Sequence, residues 1–129
     1  MKTLFQAIYA TYEASDLAAS LTGLYNTQAP ADAVFPYSVY TLVSNVQDFT
    51  FTENFEDCLV QFSLFSDVMS DSTQVCDLFE LLKTAFDFLL DLGVAGYATI
   101  SIVREIANLI KEKNVWHYAV TYRILLQED

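Results

Sequence analysis

The chain has 129 residues, enough for a single domain with a sizeable core. Apolar and aromatic residues make up 53% of it, which excludes intrinsic disorder. The net charge is −11 and the six Lys and Arg form no cluster, so binding to nucleic-acid phosphates or to an anionic membrane is disfavoured.

The charge is unevenly spread. Residues 1–91 hold thirteen acids against Lys2 and Lys83; the remaining residues balance Glu105, Glu112, Glu128 and Asp129 with Arg104, Lys111, Lys113 and Arg123. Ten Phe and eight Tyr exceed what a small core needs, which points to an oligomer, because aromatics also supply interface energy. Met1-Lys2 is followed by Glu13 and Asp16 without a long apolar core, unlike a signal peptide. Leu92 to Val103 is too short to span a bilayer. Cys58 and Cys76 therefore read as free thiols in a reducing cytosol.

In chain order, residues 2–21 read as a helix, with Leu4, Ala7, Ile8, Thr11, Tyr12, Leu17 and Leu21 on one stripe and Gly23 as the stop. Asn26 to Phe35 reads as a loop. Pro36 to Val43 is a strand that opens on a proline, and Asp48 to Thr52 continues as an alternating segment. In the next strand Cys58, Val60, Phe62 and Leu64 share one face, the core. Leu59, Gln61, Ser63 and Phe65 form a mixed opposite face suited to a cover helix or a partner.

Asp71 and Gln74 have the spacing of a capping box and predict a second helix, striped by Val75, Leu78, Phe79, Leu82, Phe86 and Leu89 and ending near Gly93. Tyr97 to Val103 alternates as a strand. Glu105 to Ile110 fits a strand or a helical turn, because Ile106, Leu109 and Ile110 have helical spacing. Lys111 to Asn114 reads as a turn, and Val115 to Ile124 as a closing strand with Trp116, Tyr118, Val120, Tyr122 and Ile124 against the helices. The pattern predicts an α+β fold: an antiparallel sheet of about four to five strands with two main helices packed on one face.

His117 is the natural catalytic suspect, but its own strand offers neither nucleophile nor orienting group, and it reads as a strand residue. One His and two distant Cys do not complete a zinc site. Glu56 and Asp57 are adjacent on an extended chain and point to opposite faces, so they chelate poorly. No phosphate-binding loop or nucleophile elbow occurs. The expectation is no enzyme, no catalytic residue, no metal and no cofactor.

The N-terminal Ala-rich helix, the Phe35-Pro36-Tyr37-Ser38-Val39-Tyr40 stretch, the Glu56 to Ser66 strand leading into the Asp71 helix, and the closing Trp116-His117-Tyr118 strand occur in a telling order. In that order the chain resembles the tail-completion proteins of long-tailed bacteriophages, the head-to-tail joining and tail-terminator group, over residues 1–129 as one such domain. The resemblance implies a structural virion protein, assembled in the host cytoplasm as a homo-oligomeric ring of six copies. Such a ring terminates the tail tube and contacts the tail tube protein and the head connector or stopper. The genome passes through it without specific binding, and no membrane is involved. A head-side neck component and an acidic cellular adaptor or inhibitor that binds a basic protein are the competing readings.

Two sets of site residues follow. An acidic lumen repels a passing genome rather than trapping it, which makes Asp77, Glu80, Asp87 and Asp91 candidate lumen acids. Phe49, Phe51 and Phe55 alternate in a turn-rich segment and, with His117 and Arg123 on the closing strand, are candidate inter-subunit contacts.

Overall fold

The structure, a computed structural model, describes residues 2–49, 53–87 and 89–129. The elements in chain order are α1 (Lys2–Glu13), α2 (Leu17–Ser20), β1 (Leu24–Asn26), β2 (Tyr37–Phe49), β3 (Asn54–Ser66), α3 (Thr73–Phe86), β4 (Tyr97–Glu112) and β5 (Val115–Glu128). The five strands form one sheet in the order β1-β2-β3-β5-β4. The α+β expectation holds. All pairs are antiparallel except β1 with β2, which is parallel. The sequence reading had no parallel pair, because a three-residue strand carries too little periodicity to show.

The predicted first helix is broken in two. Ser15 accepts a tighter turn, its amide bonding the Tyr12 carbonyl at 3.0 Å, and its hydroxyl donates to that same carbonyl at 2.7 Å. A side chain that takes a backbone acceptor competes with the helix ladder. Leu17, in the short second piece, and Leu21, just beyond it, still reach the core.

At α3 the expected capping box does not form. Asp71 accepts from the Thr73 amide at 3.0 Å, an Asx turn ahead of the helix, while Gln74 receives the Ser66 hydroxyl at 2.5 Å. The glutamine thus ties the helix start to the end of β3. The helix stops at Phe86 rather than near Gly93. Beyond it Leu92 and Val94 turn inward to the core, and Gly93 adopts φ +79°, a conformation that only glycine takes without strain. Leu89 still packs against the core from outside the helix.

The ambiguous Glu105 to Ile110 segment belongs to β4, one strand of 16 residues, and only Lys113 and Asn114 remain as the turn. Register shifts at Thr99/Ser101 and at Arg104/Ile106 explain the ambiguity. Each bulge inserts a residue and flips the phase of the side chains, so a strand imitates helical spacing.

The core lies between the helices and one sheet face. Leu4, Ile8, Leu17, Val75, Leu82 and Phe86 meet Val60, Phe62, Leu64, Val120, Tyr122, Ile124 and Leu126, all essentially excluded from solvent. The faces expected for β3 and β5 are those observed. Phe79 stacks on Tyr118 with ring centres 4.2 Å apart, which fixes α3 over β5.

Cys58 is fully buried in this core, and its thiol donates to Asn45 Oδ1 at 3.6 Å. Burial, with Glu56 and Asp57 nearby, pushes its pKa up to about 11. Cys76 is half-buried at the surface of α3. Since the thiolate is the reactive form, a neutral-pH alkylating reagent should add once to the native protein, at Cys76, and twice after denaturation. Intact-mass and peptide analysis reads this, and native-state labelling of Cys58 at the rate of Cys76 would contradict the burial.

Candidate functional site: the helix-free face of the sheet

The sheet has one face covered by helices and one face without them. Strand register places the residues of the bare face in rows. Tyr37, Phe65, His117 and Ile110 lie level across β2, β3, β5 and β4, and Thr41, Gln61, Thr121 and Ile106 form a second row. Ser44, Leu59, Arg123 and Val103 form a third.

The first row is an aromatic ladder. Tyr37 and Phe65 rings lie 5.1 Å apart, and Phe65 stacks on His117 at 4.6 Å with planes 23° apart. Phe35 extends the ladder beyond Tyr37 at 5.0 Å. His117 Nδ1 is 3.3 Å from Glu112 Oε1, while its Nε2 is buried without a hydrogen-bond partner. The imidazole is a ladder member, stacked on Phe65 and bordered by Glu112. The middle row is uncharged.

Arg123 anchors the third row. It donates from Nη2 to Asp57 Oδ2 at 2.7 Å and from Nε to Asp57 Oδ1 at 2.9 Å, and its Nη1 reaches Glu105 Oε1 at 3.4 Å. The paired guanidinium holds the Asp57 carboxyl below its ordinary range, chiefly by these hydrogen bonds. The fork across three strands borders a shallow groove lined by Ser44, Val46, Leu59, Ile106 and Thr121. Arg123 is thus committed to carboxylates of its own chain, although it remains largely exposed.

The other expected contacts are differently placed. Phe55 is half-buried in β3, where β5 backs it through Gln127. Phe49 ends β2 opposite Asn54, and Phe51 lies outside the described residues. The four helix acids do not form one set. Asp77 and Glu80 are exposed on α3, Glu80 with Lys83 at 3.1 Å. Asp87 accepts the Tyr122 hydroxyl at 2.5 Å and meets Arg104 at 3.2 Å. Asp91 caps the following turn, accepting from the Gly93 amide at 2.9 Å.

The residues that sequence reasoning passed over are exposed apolar side chains on the outer strands: Val43 and Val46 on β2, and Ile100, Val103, Ile106 and Leu109 on β4. The signal was present in β4 but its period was scrambled by the bulges. Among the described residues no group of three or more His, Cys, Asp and Glu could hold a metal ion, and no helix is long and apolar enough to cross a membrane.

This arrangement of one helix-covered, five-stranded sheet has a solved counterpart. The fold is similar to one found in a virion. A chain of the virion of the native gene transfer agent particle superposes with a TM-score of 0.80, covering 93% of this chain and 91% of that one, at 14% sequence identity. At that identity the likeness establishes a shared fold. No protein-family model matches the sequence, and no curated protein matches it.

Proposed function

We propose that this chain is a structural virion protein of a phage-like particle, and that it assembles as a six-membered ring at the head-proximal end of a tail. The supporting observation is the fold shared, over nearly the whole of both chains, with a chain from a gene transfer agent virion. In this reading residues 1–129 form one tail-completion domain. The ring terminates the tail tube and joins it to the head connector or stopper.

The surface chemistry suits that role better than catalysis. The bare sheet face offers an aromatic row beside an uncharged one, and its strongest polar cluster, Asp57–Arg123–Glu105, is already internally paired. Interfaces favour aromatics and Arg at their centres. The net charge of −11 would keep a lumen from trapping DNA, and Asp77 and Glu80 are the two helix acids free of the sheet that could line it.

Electron microscopy of the purified protein tests the reading. Class averages should show a closed ring with a central opening. Uniform small particles without an opening would contradict it and would favour the acidic adaptor that binds a basic protein, which the net charge also fits.

A further inference from the structure

The sheet ends in two free edges. β1 pairs with β2 only at Ser38, Val39 and Tyr40, so from Thr41 to Phe49 the outer side of β2 faces no described strand. At the other side β4 is the edge along its whole length. Both edges carry exposed apolar side chains: Val43 and Val46 at 53% and 59%, and Ile106, Leu109 and Ile110 between 41% and 56%. Long apolar edges invite pairing with another chain, and proteins that stay alone blunt them with Pro, Lys or bulges.

Bulges are present here, at Leu42/Ser44 on β2 and at Thr99/Ser101 and Arg104/Ile106 on β4. They leave one regular, proline-free stretch on each edge, Ser44–Phe49 and Ile106–Glu112. The two stretches sit at opposite ends of the sheet. Ser44–Phe49 is the C-terminal end of β2. Ile106–Glu112 is the C-terminal end of β4, next to the Lys113-Asn114 turn.

β2 and β4 run in opposite directions, since β2 is antiparallel to β3, β3 to β5, and β5 to β4. Two copies in the same orientation, set edge to edge, therefore continue the sheet as an antiparallel pair. A stagger along the strands brings the two regular stretches level, Ser44 toward Glu112 and Phe49 toward Ile106, and sets the exposed Val46 among the exposed Ile106, Leu109 and Ile110. We infer that Ser44–Phe49 of one copy pairs with Ile106–Glu112 of the next. The contact is head-to-tail, so it repeats from copy to copy rather than stopping at a dimer, and it forms a ring when the rotation between copies closes. The inference rests on the ring reading and specifies how the ring closes.

Hydrogen exchange on the assembled full chain tests it, beside the double variant Ile106→Lys with Leu109→Lys. Both side chains are exposed in the free chain, so the variant should keep the wild-type circular dichroism spectrum and melting behaviour while failing to assemble. In the wild-type assembly, amides in both 44–49 and 106–112 should exchange about ten-fold or more slowly than in the variant, as opening is suppressed. An assembly in which both stretches exchange as fast as in the variant overturns this contact and leaves the ring reading standing. Protection of 106–112 alone means that another strand, such as β4 of a second copy, covers that edge, and it overturns the pairing. A wild-type chain that stays monomeric at every concentration overturns the pairing and the ring together.

Discussion

Replacing Phe62 with alanine should lower the stability of the chain by about 3–5 kcal/mol, read as a fall in the denaturant midpoint at unchanged slope. Phe62 is 1% exposed and joins the two layers of the core. Its ring lies 4.9 Å from Phe86 of α3, 5.8 Å and nearly perpendicular to Tyr122 of β5, and 6.3 Å from Tyr40 of β2. Removing it opens a cavity between a helix and three strands whose large neighbours cannot all collapse into it. Domains hold only about 5–15 kcal/mol in total. A loss near the upper figure would leave the variant partly unfolded, and a loss under about 1 kcal/mol would show that α3 is not seated on Phe62 as described.

Replacing Asp87 with alanine should cost about 1–3 kcal/mol, more than replacing its partner Tyr122 with phenylalanine, at about 1 kcal/mol. Tyr122 is fully buried and its hydroxyl donates to Asp87 Oδ1 at 2.5 Å, while Asp87 Oδ2 holds Arg104 at 3.2 Å. Losing the carboxylate strands a buried phenol; losing only the phenol leaves the carboxylate paired with Arg104. Denaturant titration of both variants measures the order, and the reverse order would contradict the geometry.

The same pair sets an alkaline response. Burial, then the Asp87 hydrogen bond, raises the Tyr122 pKa above its ordinary value of 10.0. The unfolded chain therefore releases this proton first. The stability contribution is fully present below about pH 10 and is lost as the pH climbs above it. Tyr122→Phe should lose less stability than the wild-type protein between pH 10 and 12. Cys58 adds a similar loss in both proteins, from its ordinary value of 9.0 toward about 11, and so cancels from the difference.

Much of the core was legible in the sequence because β3 and β5 alternate cleanly. Val60, Phe62 and Leu64, and Val120, Tyr122 and Ile124, repeat at period two and face the helices as expected. The stripe of α3 was equally plain through Phe86. The failures have local causes. A hydroxyl at Ser15 breaks the first helix, Gln74 binds Ser66 instead of capping its own helix, and β1 is too short to show a period. At β4 two bulges disguised a strand, and with it the edge that carries the exposed apolar residues.

The candidate site was legible only in part. His117 and Arg123 were correctly placed on the bare face, but their partners come from other strands: Phe65 beneath the imidazole, and Asp57 and Glu105 around the guanidinium. Sequence spacing carries no record of such cross-strand neighbours. The acids on and after α3 separate for the same reason, since Asp87 is drawn to a tyrosine 35 positions away.

The central claim, that this chain works as a ring in a virion, is tested most directly by the native mass of the purified protein. Six copies of a 14.6 kDa chain predict a single species of about 88 kDa that persists on dilution. A species of 14.6 kDa at every concentration would contradict the account.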